Sequence, residues 1–242
     1  MVKTLSIIIP AYNEESRITP CLEDINNNLD NINFQVQEVV VVSDGSKDKT
    51  IEVVKNWINT RATNKQIFKI LSKNINQGKG SSVKEGFLYF NSDWVLYTDA
   101  DGATPILEIN KLSEYIDNFD VICGSRVLKE DGTLVDMTLK RRFIGFVFHT
   151  ILEILGLAKI KDTQCGFKLF KKDIAKDIVR NQKCLNFSFD IEYLYLTRKK
   201  GCKIKEVPVC WTEIEGSKVN LILDSIKMLI EVLKIRLIYK YN

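Results

Sequence analysis

Histidine is almost missing from this chain: His149 is the only one among 242 residues. It falls one turn before Glu153 in an otherwise apolar helical stretch, a placement that suits a structural contact. A Ser-His-Asp relay and a histidine-rich metal centre are thereby excluded. Six cysteines are present, at 21, 123, 165, 184, 202 and 210, and none forms a CxxC pair. That removes the usual zinc-site spacing. Several of them lie in apolar runs, as buried thiols do, and the set reads as that of a reducing compartment. No segment reaches about 18 uninterrupted apolar residues, so the sequence holds no membrane-crossing helix. The first apolar run is too short for a signal peptide and reads as a strand. Low-complexity linkers and internal repeats are also missing, which predicts one domain over 1–242. An apolar share of 45% and a charged share of 27% exclude disorder. The net charge of +4 fits a polyanionic ligand or an anionic membrane surface and does not demand nucleic acid.

What is present begins with short runs rich in Ile and Val. Leu5–Ile9, Glu38–Val42, Ile67–Leu71, Trp94–Thr98 and Val121–Cys123 alternate with longer, more polar segments at helical spacing. This order predicts an α/β fold, a mostly parallel Rossmann-like sheet with helices on both faces. Such sheets bind ligands beyond the carboxyl ends of their strands. The residues just past the five runs are unusual: Pro10, Tyr12, Asn13 and Glu14; then Ser43, Asp44 and Gly45; then "NQGKG" at 76–80; then Asp99 and Asp101; then Gly124, Ser125 and Arg126. A purely structural sheet has no need of so many polar groups at one edge.

Each motif has a plain alternative. "TDADG" places two carboxylates one residue apart after a strand, which suits Mg²⁺ or Mn²⁺ held jointly with a phosphate. It also suits a solvated turn with Asp99 capping the next helix. "SDGSKDKT" can be a turn in which Ser46 caps a helix starting near Lys47. "NQGKG" can bring backbone and Lys79 close to a phosphate, or be only a turn. The first strand-to-helix turn, "PAYNEE", lacks the glycine fingerprint of a dinucleotide-dependent oxidoreductase.

The second half differs in design. "RRFIGFVFHTILEILGL" at 141–157 confines its polar positions, Arg142, His149 and Glu153, to one stripe. "NLILDSIKMLIEVLKIRLIYKY" at 220–241 carries Asn220, Asp224, Lys227, Glu231 and Lys234 at spacings of 4, 3, 4 and 3. Both are predicted to be amphipathic helices that meet either a membrane interface or the protein's own core.

Taken in order, "SIIIPAYNEE", "VVVSDGSKDKT", "NQGKGSSVKEGF", "TDADGAT", "CGSR" and "DTQCGFKLF" resemble the family 2 glycosyltransferases of GT-A fold across nearly the whole chain. "DADGAT", "DTQCGFKLF" and "WTEIEGSK" resemble the subgroup that uses UDP-glucose as donor and dolichyl phosphate as acceptor. The resemblance implies an inverting, metal-dependent transferase with Mg²⁺ or Mn²⁺ at Asp99 and Asp101. It implies a nucleotide-sugar site at Pro10, Tyr12, Glu14, Asp44, Lys79 and Asp99, within a donor half at 1–126. It implies acceptor-phosphate contacts from Arg126, Arg141, Arg142 and Lys218, within an acceptor and membrane-interface half at 127–242. Asp101, Asp162, Gln164 and Arg126 fall where the family carries out transfer. The implied place is the cytoplasmic face of a membrane, that of the endoplasmic reticulum in a eukaryote or the inner membrane in a prokaryote.

Two departures matter. Related mannosyl enzymes carry an arginine ahead of the "GxSK" stretch, and "WTEIEGSK" does not, which argues against GDP-mannose as donor. Eukaryotic members of the subgroup begin with a membrane-anchoring helix, whereas this sequence enters the strand pattern at once. Another donor sugar, a soluble glycan acceptor and a nucleotide-sugar-binding module without turnover are the alternatives. Phosphate as nucleophile makes chemical sense of the missing histidine: with a second pKa of about 6 it is largely dianionic at pH 7 and needs no strong base.

Overall fold

The computed structural model describes residues 2–155, 159–214, 216, 227–233, 235 and 239, with Arg141 described in its backbone only. Seven strands form one sheet: β1 (Thr4–Ala11), β2 (Gln35–Asp44), β3 (Phe68–Lys73), β4 (Trp94–Thr98), β5 (Val121–Ser125), β7 (Phe167–Lys171) and β8 (Ile204–Pro208), in the order β3-β2-β1-β4-β7-β5-β8. A small second sheet pairs β6 (Val135–Asp136) with β9 (Trp211–Thr212) in parallel. The helices are α1 (Ile18–Asn27), α2 (Thr50–Thr60), α3 (Lys79–Tyr89), α4 (Ile109–Ser113), α5 (Leu139–Ile154), α6 (Lys172–Asn181) and α7 (Phe189–Lys199). Residues 227–233 are helical as well.

Side chains alternate across a strand, so a strand covered on both faces reads as continuously apolar. In β2, Val39 and Val41 join one core cluster with Ile18, Leu22, Val54 and Trp57. Val40 and Val42 join the opposite cluster with Val83, Phe87, Phe189 and Tyr193. Pro10 lies past the last β1–β4 pair, Ile8↔Tyr97, so its missing N–H falls where that ladder has ended.

All five apolar runs are strands. The sequence reading did not foresee β7, which runs antiparallel between β4 and β5. Its direction has a consequence for the site. Phe167, the first residue of β7, pairs with Thr98, the last of β4. The "DTQCG" loop ahead of β7 therefore lands on the edge where the parallel strands deliver their carboxyl ends.

Candidate active site

The loops after β1 and β2 are laced together. Lys47 N donates to Asn13 Oδ1 (2.7 Å), Asn13 N to Ser46 Oγ (3.1 Å) and Glu14 N to Thr50 Oγ1 (2.7 Å). Asn13 sits at φ 54°, a conformation asparagine tolerates better than most residues. Ser46 thus braces the neighbouring loop and does not cap a helix from Lys47. The helix starts at Thr50, where Asp48 Oδ1 accepts from Thr50 N (3.0 Å). Pro10 is buried at the end of β1 and Tyr12 is half-buried just past it. The Glu14 carboxylate takes both Arg17 Nε (2.8 Å) and Nη2 (2.7 Å).

Asp44 is 2% exposed, and its oxygens are occupied by the protein itself. They accept from Gln77 N (3.1 Å) and Gly78 N (2.7 Å), and Lys73 Nζ lies 2.6 Å away. In this structure its contacts are to the 76–80 loop. The glycines of that loop also differ from the expectation of close phosphate approach. A Cβ on Gly78, at φ 102°, would lie 2.4 Å from Asn186 Oδ1 and Leu185 O. One on Gly80 would lie 2.6 Å from Phe189 Cβ. Their bare faces are covered by residues 184–189, so the missing side chains serve that packing.

Between those glycines Lys79 reaches Asp99 Oδ1 at 2.5 Å. Burial opposes its charge, but Asp99 and then Asp190 outweigh burial and leave its pKa raised. Asp99 caps no helix; its N–H donates to Gly166 O (3.1 Å). Gly166 has room for no side chain, because a Cβ there would lie 2.2 Å from Asp99 Oδ2. Asp101 turns the chain by accepting from Ala103 N (3.1 Å) and lies 3.9 Å from Arg17 Nη1. Burial, and then the neighbouring Asp99, raises the Asp101 pKa. Arg17 Nη1 is buried without a hydrogen-bond partner among the described residues. Two crowded carboxylates therefore lie beside an arginine nitrogen with spare capacity. Among the described residues no three His, Cys, Asp or Glu side chains cluster as a metal cage. The donor set fits a divalent ion that takes one or two carboxylates and completes its shell with phosphate and water.

Arg126 and Asp162 meet as a bidentate buried pair. Nε lies 2.8 Å from Oδ2 and Nη2 2.8 Å from Oδ1, and the Arg126 N–H adds a third bond to Oδ2 (2.9 Å). Burial would raise the Asp162 pKa, but Arg126 overrides it and holds the carboxyl at about 2. The Asp162 and Lys161 N–H groups donate in turn to Glu206 (2.9 and 2.7 Å). The Arg126 guanidinium stands 5.5 Å from the Trp211 ring. Gln164 N donates to Asp162 Oδ1 (3.2 Å), while its buried Nε2 has no partner among the described residues. Arg126, Lys129 and Arg142 line one cleft of about 500 Å³, together with the carboxylates of Glu130 and Asp131 and the apolar Leu128 and Leu134. Lys218 and the side chain of Arg141 lie outside the described residues.

Sequence reasoning missed Lys168, although a lysine inside "GFKLF" is a visible break in an apolar strand. It is 0% exposed and donates to Thr163 O (3.0 Å), Cys165 O (2.7 Å), Tyr97 Oη (3.0 Å) and Asp190 Oδ1 (2.6 Å). Tyr97 Oη also donates to Asp190 Oδ1. Burial, and then Asp190, puts the Tyr97 pKa well above its ordinary value. Lys168 thus holds the carbonyls on either side of Gln164, and the loop that grips Arg126 at one end touches Asp99 at the other. Arg17 was also missed; it follows "NEES" with no periodicity to mark it.

Beside the cleft, α5 presents Leu139, Phe143, Phe146 and Ile154 at 79%, 68%, 67% and 79% exposure. Its other face, with Phe148 and Leu152, is buried. The helix predicted at 141–157 is observed at Leu139–Ile154, with positions 156 and 157 outside the described residues, and His149 Nε2 faces Glu153 at 3.3 Å as a structural contact. Of the predicted last helix, Met228, Val232, Ile235 and Tyr239 are buried, so part of its apolar arc belongs to the core. Among the described residues no helix is long and apolar enough to cross a membrane.

The sequence profile of glycosyl transferase family 2 matches residues 6–179. A dolichyl-phosphate beta-glucosyltransferase of Trichomonas vaginalis is 40% identical over 248 residues, covering 98% of this chain and 74% of that protein. The dolichyl-phosphate beta-glucosyltransferase of Saccharomyces cerevisiae is 34% identical, with 97% and 75% covered. Among solved structures, glucosyl-3-phosphoglycerate synthase from Mycobacterium tuberculosis in complex with Mn²⁺, UDP and phosphoglyceric acid superposes with a TM-score of 0.69 at 17% identity, covering 96% of this chain and 78% of that one. The same synthase with Mg²⁺ and UDP gives 0.72 at 16% identity, with 96% and 79% covered. These likenesses establish the GT-A fold, and the chain belongs to glycosyl transferase family 2, in the group of the dolichyl-phosphate beta-glucosyltransferases.

Proposed function

We propose that this protein transfers glucose from UDP-glucose to the phosphate of dolichol or another polyprenol, with inversion at the anomeric carbon. The observation that carries the reading is the strand-end pair Asp99–Asp101 beside Lys79 and Arg17, joined through the 162–166 loop to Arg126. One edge of the sheet thereby holds groups for a diphosphate and groups for a second phosphate. Residues 1–126 form the donor half and 127–242 the acceptor half.

Asp99 and Asp101 would hold Mg²⁺ or Mn²⁺, which when bound offsets the negative charge that develops on the departing diphosphate. Lys79 stands on Asp99 and, with Arg17 Nη1, presents positive charge to the same phosphates. Pro10, Tyr12 and Glu14 shape the entrance that admits the nucleotide, and Asp44 fixes the 76–80 loop as its floor. The acceptor phosphate needs no proton removed at pH 7; it needs cations that place one oxygen behind the anomeric carbon. Arg142 and Arg126 line the cleft for that task, with Arg141 and Lys218 as further cations. Asp162 aims Arg126, and Gln164 Nε2, which has no partner among the described residues, offers a donor to the sugar or the acceptor. Attack opposite the diphosphate converts an α-linked donor into a β-linked product.

A polyprenyl tail stays in the bilayer, so the acceptor end must meet a membrane surface. The exposed face of α5 supplies the apolar contact, with Lys140 beside it for anionic headgroups. We place the protein on the cytoplasmic face, that of the endoplasmic reticulum in a eukaryotic cell. The test is transfer of label from UDP-glucose into extractable lipid in the presence of dolichyl phosphate and a divalent metal.

A further inference from the structure

We propose that Glu231 is a positioning residue for the donor site: through Asn186 and Ser188 it seats the 182–189 loop against Gly78–Gly80 and so fixes Lys79 on Asp99. The inference rests on the reading of Lys79 and Asp99 as donor-side groups.

The contacts form a continuous chain. Glu231 accepts from Asn186 Nδ2 (3.0 Å) and from Ser188 Oγ. Asn186 Oδ1 lies against the bare face of Gly78, and Asn186 O and Cys184 O against that of Gly80. Leu185 O accepts from Ser81 N at 3.0 Å. Gln182 Nε2 donates to Gly80 O at 2.9 Å. Both flanks of Lys79 are thus pressed by one loop, and the lysine extends from there to Asp99.

The base of that loop is tied separately. Glu192 accepts from Lys183 N and Cys184 N, both at 2.8 Å, and Tyr239 Oη donates to it at 2.6 Å. The tip has a different anchor, Glu231. Met228, Val232 and Ile235 keep the helix of Glu231 on the core, while Ile230 and Leu233 face outward at 51% and 44% exposure. Removing the carboxylate therefore frees the tip, with the base and the apolar seat in place. The predicted defect is selective for the nucleotide, because Arg126 and Arg142 are held from Asp162 and from α5, not from this loop.

The test is UDP binding to the full chain with Mn²⁺ by calorimetry, with acceptor KM and thermal midpoint measured alongside. Glu231→Ala is expected to weaken UDP about tenfold with acceptor KM unchanged. Glu231→Gln, which keeps an oxygen for Asn186, is expected to bind nearly as the wild type does. Asn186→Ala provides an independent route to the same loss should Glu231→Ala fold poorly. Wild-type affinity for UDP in both alanine variants, or a parallel loss of donor and acceptor use, would overturn the inference alone. Failure of the wild type to bind UDP would overturn the donor-site reading and this inference with it.

Discussion

Asp162→Asn should be among the most damaging single-atom changes in this protein, and its effect should depend on pH. The carboxylate is 4% exposed and accepts three bonds from Arg126. Asparagine keeps the shape but removes the charge and turns one acceptor into a donor facing a guanidinium. Removing one partner of a buried pair costs about 3–5 kcal/mol, because the other charge stays buried. For a chain of this length each kcal/mol corresponds to about 2–4 °C in thermal midpoint. The pH dependence follows from the folded pKa of about 2, depressed from the ordinary 3.8. A depressed carboxylate contributes stability that is fully present above its unfolded pKa and is lost as pH falls through the folded one. The gap between wild type and variant should therefore be constant from pH 7 to 5 and narrow by about 2 kcal/mol as pH falls from about 4 to 2. Urea midpoints at several pH values measure it. A gap under about 1 kcal/mol at pH 7, or one that does not narrow below pH 4, would show that the pair is not the clamp described.

Three further outcomes are expected. Asp101→Asn should abolish Mn²⁺-supported transfer while raising the thermal midpoint of the metal-free protein. A carboxylate whose pKa is raised by burial and by Asp99 destabilises the fold above that pKa, so neutralising it relieves a cost of about 1.4 kcal/mol per pKa unit; an unchanged metal response would refute the role. Phe143→Glu with Phe146→Glu should release the protein from anionic vesicles, since each buried phenyl contributes about 1.5–3 kcal/mol, and sedimentation equal to wild type would show that α5 is not the contact. Lys168→Met should destabilise by about 3–5 kcal/mol and Asp190→Asn on top of it should cost little more, whereas additive losses would separate the two residues.

Strands β1 to β5 were legible because runs rich in Ile and Val leave a pattern that polar segments do not share; β8, parallel to β5 and only partly buried, has no such run and was not. The strand-end residues Asp44, Asp99, Asp101 and Arg126 were legible for the same reason, since topology alone places them at one edge. The antiparallel β7 was hidden: "FKLF" is a short apolar run broken by a lysine, and nothing local states its direction. Lys168 stood out as a break in an apolar strand, but its partner Asp190, 22 residues on, carries no local mark of the buried ion pair. Glycines were visible, but their purpose was not. Gly78 and Gly80 make room for a loop a hundred residues later, a contact that sequence spacing does not encode. The C-terminal polar stripe was read as one face, while Glu231 turns inward to Asn186 and Ser188.

The central claim is tested most directly by incubating the purified protein with radiolabelled UDP-glucose, dolichyl phosphate and Mg²⁺ or Mn²⁺, and counting label in the lipid extract. The account predicts metal-dependent label in a lipid whose glucose is β-linked through phosphate, with UDP released in equal amount. Label entering the lipid only from GDP-mannose, or entering a soluble glycan and no lipid at all, would contradict it.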